Sequence, residues 1–132
     1  MRLVCDTNAL IAAIVADGLC RDIVKQRLPN HDLFTSKLLL SELEEKLRDK
    51  FGVAAKSVPL ISSYQNGVVV LHPAALPASV CRDRDDDEVL AVAVAADAAA
   101  IITGDKDLLM LKTYAGIPIF SPRQFVEFLD QI

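Results

Sequence analysis

The chain has 132 residues, enough for one ordinary domain with its own core and too few for two. Hydrophobic residues make up 52 %, which argues against a disordered chain, while aromatics make up only 5 %, so the core must be built from Ala, Val, Leu and Ile. A formal net charge of −4 argues against capture of nucleic acid by the whole surface, although a local basic patch is compatible with it.

Residues 2–5 are predicted to form a first strand, buried on both faces, that runs into Asp6-Thr7-Asn8. Residues 8–16 read as an Ala-rich helix, capped by Thr7 or Asn8 and stopped by Asp17-Gly18. A second helix is expected at about residues 20–28, with Ile23, Val24 and Leu28 inward and Arg21, Lys25 and Arg27 outward. Residues 32–35 form a short second strand, after which Ser36 stands as N-cap of a helix over 37–50. Leu39, Leu40, Leu43 and Leu47 share one arc of that helix, as a core-facing stripe does. A further helix is expected at about 53–65. Asn66-Gly67 then turns the chain into a third strand at 68–71.

Residues 72–84 carry three prolines and no periodicity, and read as a loop. Asp85-Asp86-Asp87-Glu88 opens a helix running to about residue 96; acids in a first turn suit the helix dipole. That helix is apolar nearly all round, so it should be well buried. A fourth strand spans 100–103 and a short helix about 107–112. Residues 117–120 form a fifth strand, whose Pro118 favours the sheet edge. Ser121-Pro122 caps a final helix with Phe125, Phe128 and Leu129 inward. Strands alternating with helices imply an α/β fold: a three-layer α/β/α sandwich around a parallel sheet of about five strands, as one domain over 1–132.

The three cysteines, Cys5, Cys20 and Cys81, make neither a disulfide framework nor a zinc site and are expected to be reduced thiols. His31 and His72 read as turn residues. The start lacks the long apolar stretch of a secretory signal, and no charge-free apolar run reaches about 18 residues, so a cytoplasmic protein without a membrane span is expected.

The acids carry the functional signal. Asp6 follows the first strand and Asp105 the fourth. Glu42 lies in the second turn after Ser36, and Asp87 in the first turn after the 72–84 loop. In a parallel α/β sheet all strand ends and following helix starts share one edge, where ligands bind. Asp6, Glu42, Asp87 and Asp105 can therefore converge, with at most one or two acids of the 83–88 run turned inward. Like charges so gathered raise one another's pKa or require a cation. An all-oxygen donor set without His or Cys favours Mg²⁺ or Mn²⁺, and such an ion can activate water for phosphodiester hydrolysis.

Four stretches together resemble the PIN domain family: Leu3-Val4-Cys5-Asp6-Thr7-Asn8, Ser41-Glu42-Leu43-Glu44-Glu45-Lys46-Leu47, the run from Asp85 to Ala93, and Ile101-Ile102-Thr103-Gly104-Asp105-Lys106-Asp107-Leu108-Leu109. The resemblance spans nearly the whole chain, ending with Ser121-Pro122-Arg123-Gln124-Phe125, and is closest to VapC-like toxins of toxin–antitoxin systems. It implies a Mg²⁺- or Mn²⁺-dependent ribonuclease whose metal-holding, catalytic acids are Asp6, Glu42, Asp87 and Asp105. It selects Asp87 from its run as the acid three residues before Leu90-Ala91. Thr7, Asn8, Thr103 and Asp107 are helpers by the same resemblance. Lys37, Arg82, Arg84 and Lys106 flank the acidic edge and are candidates for holding RNA phosphates. A cognate antitoxin and a homodimer are the expected partners, docked through exposed Leu and Phe of the second helix and chain end. Two other readings are open: a catalytically silent α/β module binding a cation or a protein, and a phosphotransfer site on Asp6. The latter is weakened by Asn8 where an aspartyl-phosphate hydrolase needs a second Asp.

Overall fold

The computed structural model describes residues 1–15 and 18–132. The predicted end of the first helix, Ala16-Asp17, lies outside the described residues. Among these residues, six strands form one sheet: β1 (Arg2–Cys5), β2 (Asp32–Ser36), β3 (Val69–Leu71), β4 (Ala100–Ile102), β5 (Thr113–Tyr114) and β6 (Ile117–Phe120). Their spatial order is β3-β2-β1-β4-β6-β5. The first three and β4 and β6 run parallel; β5 pairs antiparallel with β6.

The sheet therefore has six strands, not five, and Pro118 does not lie on the outermost one. A two-residue turn, Ala115-Gly116, folds β5 back onto β6, and both turn residues have positive φ, 49° and 78°. That conformation matches the twist of a tight hairpin and is normally announced by Asn-Gly. With Ala in the first position the hairpin carries no such signal.

β1 is central because its residues are apolar on both faces. Leu3 and Cys5 pack with Leu10, Ile23, Leu43, Ile61 and Phe125 on one side. Val4 packs with Phe34, Val89, Leu90, Ile101 and Leu108 on the other. Alternate residues of a strand point to opposite faces, so one short strand serves both cores. Helices cover both faces. They are α1 (Thr7–Val15), α2 (Leu19–Asp22), α3 (Lys37–Phe51), α4 (Pro59–Gly67), α5 (Arg84–Ala96), α6 (Lys106–Leu111) and α7 (Pro122–Asp130).

The helix predicted at about 20–28 changes its winding: α2 continues as a π-helical turn over Ile23–Arg27 and a 3₁₀ turn over Leu28–Asn30, where Pro29 cannot continue the α-helical ladder. Its inward face is as expected, with Ile23, Val24 and Leu28 buried. Arg21, however, turns back onto α1 and donates to the Ala13 and Ile14 carbonyls at 2.9 Å each. The helix predicted at 53–65 begins only at Pro59, after a 3₁₀ turn over Ala55–Ser57. Leu28 and Phe125 are fully buried, as their inward placement predicts, and so are not available for docking; Phe128 packs on Phe120 with ring centroids 5.1 Å apart. Among the described residues no helix is long and apolar enough to cross a membrane.

After β1 the chain moves outward to β2 and β3, then crosses back to place β4 on the other side of β1. The order reverses between β1 and β4. Such a switch point opens a crevice at the carboxyl ends of the strands, and Asp6 and Asp105 follow those two strands.

Candidate metal centre

Asp6 leaves β1 with its backbone N–H still bonded to the Ile102 carbonyl, 2.9 Å away on β4. Its carboxylate is buried and held on both sides. Oδ1 accepts from the Thr7 N–H at 2.7 Å, and Oδ2 from the Thr103 hydroxyl at 2.8 Å. Thr103 in turn accepts from the Asp105 N–H at 2.9 Å. A single hydroxyl thus fixes the distance between the two strand-end acids. Burial pushes the Asp6 pKa up; the bonds from Thr103 and Thr7 oppose this, and the Asp105 charge adds to it.

Asp105 is the N-cap of α6. Its Oδ1 accepts from the N–H groups of Asp107 and Leu108 at 2.8 and 3.1 Å, which leaves Oδ2 outside the cap. One oxygen from each of Asp86, Asp105 and Asp107 lies within 4.8 Å of the others. Asp86 is 7 % exposed. Burial first, then the charges of Asp105, Asp6, Asp83 and Asp107, push its pKa up to about 7.

Asp87 takes a different position. Its carboxylate points back at the preceding loop, where Oδ1 accepts from the Cys81 N–H at 2.8 Å and both oxygens accept from the Val80 N–H at 3.3 Å. The structure brings Asp86, not Asp87, to Asp105. Asp83 caps α5, accepting from the Asp85 N–H at 2.9 Å, and this sets the phase of the first turn. Each helical residue then advances about 100°. Moving from Asp87 to Asp86 therefore exchanges the loop for the strand ends. The 72–84 loop, predicted to be irregular, has no helix or strand before Arg84, and Asp87 ties down its end.

Glu42 reaches the same edge from α3, where Ser36 caps the helix by accepting from the Leu39 N–H at 3.3 Å. The Glu42 side chain is 12 % exposed. Its Oε1 accepts from Lys46 Nζ at 2.7 Å, while Oε2 is buried with no hydrogen-bond partner. Burial raises the Glu42 pKa, Lys46 works against that, and Asp85 adds to it. Glu42 does not share the close cluster of Asp86, Asp105 and Asp107.

Of the expected helpers, Thr103 lies at the centre and Asp107 within the cluster. Asn8 accepts from the Gly104 N–H at 3.2 Å, tying α1 to the loop after β4. Thr7 contributes its N–H to Asp6. Arg82 makes a bidentate pair with Asp107, its closest contact 2.9 Å, from an exposed position. The family resemblance pointed to Asp87 where the structure brings Asp86 to the cluster, and the sequence reading did not single out Lys46. The i, i+4 placement of Lys46 after Glu42 was the available signal for the second.

The donor set fits a hard divalent ion. Its close donors are carboxylate oxygens, and a buried acid sits there at a raised pKa that a cation would lower.

The class is an α/β domain with a cluster of acids at the strand ends, at the switch point of a largely parallel sheet. A model of the PIN domain matches residues 2–107, and the chain belongs to the PIN domain family, whose members are typically nucleases. The chain is 28 % identical over 145 residues to the uncharacterized protein MJ1680 of Methanocaldococcus jannaschii, covering 96 % of this chain and 90 % of that protein. Its fold is similar to the crystal structure of PAE2754 from Pyrobaculum aerophilum, with a TM-score of 0.64 at 16 % identity and all of each chain covered. At that identity the likeness speaks for the fold alone.

Proposed function

We propose that this protein is a Mg²⁺- or Mn²⁺-dependent endoribonuclease. The observation that carries the reading is the joining of Asp86, Asp105 and Asp107 at the switch point, with Asp6 beside them through Thr103. Asp86, Asp105 and Asp107 hold the ion, and Asp6 adds negative charge from the strand end. Glu42 closes the other side of the edge. A divalent ion, when bound, would neutralise charge and lower the pKa of a water so that it could lose a proton and attack phosphorus. In the reaction the attacking water gives up one proton as its oxygen bonds to phosphorus, one P–O ester bond breaks, and the leaving oxygen takes up one proton. Thr103 keeps Asp6 and Asp105 at a fixed separation throughout. Lys37, Arg84 and Lys106 open α3, α5 and α6, and Arg82 pairs with Asp107; cations so placed offset the phosphate charge of a nucleic-acid backbone.

The toxin role belongs to the same proposal. An antitoxin segment would dock in the groove lined by Leu109, Ile119, Phe120 and Phe128, and the toxin would act as a homodimer. Co-purification with the product of an adjacent small gene tests the first, and sedimentation the second.

The central test is cleavage of a mixed RNA pool with Mg²⁺ or Mn²⁺. Cleavage should disappear in Asp6→Asn, Asp86→Asn and Asp105→Asn and on adding chelator. Cleavage that survives all three substitutions, or excess chelator, sinks the assignment.

A further inference from the structure

A Glu-Lys pair four residues apart on a helix is ordinarily a surface device of small effect. The pair on α3 differs in where it points. Glu42 is nearly buried, and one of its oxygens has no donor. Lys46 Nζ sits 2.7 Å from the other oxygen. The charges of Asp6, just after β1, and of Asp85, in the first turn of α5, also act on Lys46. Burial by itself would lower the Lys46 pKa, and these acids hold it above the ordinary lysine value instead. The close trio of Asp86, Asp105 and Asp107 excludes Glu42. Glu42 therefore stands apart from the close trio, and it already holds a positive charge supplied by the chain.

We propose that Lys46 takes the place of a second divalent cation, its ammonium filling the Glu42–Asp85 side so that one ion binds on the Asp86–Asp105–Asp107 side. An ammonium and a divalent ion compete for the same carboxylate oxygens, and Lys46 is tethered within reach at no cost in ion concentration. Lys46 is thus a positioning residue: it holds Glu42 by Oε1 and sets how many ions the edge accepts.

This inference rests on the metal-site reading above, and the test separates the two. MnCl₂ is titrated calorimetrically into the full chain in three forms: wild type, Lys46→Met and Lys46→Arg. The wild type should take up about one ion per chain, Lys46→Met about two, and Lys46→Arg, which keeps the charge, about one. Two ions in the wild type would overturn the proposal. So would one ion in a Lys46→Met protein whose circular dichroism matches the wild type. Should Lys46→Met fail to fold, the wild type and Lys46→Arg still decide, since a count of two in either refutes it. No uptake by the wild type at millimolar Mn²⁺ instead removes the metal site itself. A Glu-Lys pair acting only on stability would leave the ion count unchanged.

Discussion

Adjacent acids in the first turn of α5 should behave in opposite ways when each is replaced by Asn. Asp86 is buried among like charges, and its pKa rises from the ordinary carboxylate value to about 7. A raised folded-state pKa means that, without metal, the group favours folding below the unfolded value and loses that contribution as pH rises through about 7. A displacement of this size corresponds at most to ~4 kcal/mol, and screening by water reduces the expectation to about 1–2 kcal/mol. Asp86→Asn removes the charge and should stabilise the metal-free protein by that amount at pH 8, with little effect at pH 4. Asp87 instead accepts from two backbone N–H groups of the preceding loop. Asp87→Asn weakens charge-assisted bonds and should cost about 1–2 kcal/mol, with Mn²⁺ binding retained. Thermal melts at pH 4 and pH 8, with and without Mn²⁺, read both effects. At this chain length 1 kcal/mol is about 3–5 °C. Mn²⁺ should raise the melting temperature of wild type and Asp87→Asn but not of Asp86→Asn. If Asp86→Asn keeps the Mn²⁺ response and Asp87→Asn loses it, the assignment of the two acids is reversed.

Mn²⁺ affinity should rise between pH 6 and pH 8 and level off above, because the ion competes with the proton on Asp86; calorimetry in buffers of different ionisation enthalpy should show proton release below pH 7. Thr103→Val keeps side-chain volume but leaves Asp6 Oδ2 and the Asp105 N–H without the partner they share, so stability should fall by about 2 kcal/mol and Mn²⁺ should bind more weakly, as followed by chemical denaturation and titration. Leu43→Ala empties a fully buried position beside β1 and should cost about 2–5 kcal/mol in urea unfolding, with the ion count per folded chain unchanged.

Much of this molecule is decided by local pattern. The apolar run of β1, the Leu stripe and Ser36 cap of α3, the Ser121 capping box of α7 and the alternation of strands and helices are short-range signals, and the structure follows them. Asp6 and Asp105 were legible for the same reason: a carboxylate directly after a buried strand has only one edge of the sheet to occupy. Other features depended on where packed elements came to rest. Asp85, Asp86 and Asp87 are chemically alike and consecutive, so composition could not choose among them; the Asp83 cap and the docking of α5 against the sheet turned Asp86 to the strand ends and Asp87 to the loop. Strand β5 needed the left-handed turn at Ala115-Gly116, which only the surrounding structure selects. Lys46 follows Glu42 at i, i+4, and only the packing of α3 sets that pair beside the acidic edge. Sequence by itself determined which chemistry this edge carries, because residue type sets the donor atoms. The tertiary structure decided which acids come within reach of one another, because helix phase and sheet order set the distances between carboxylates.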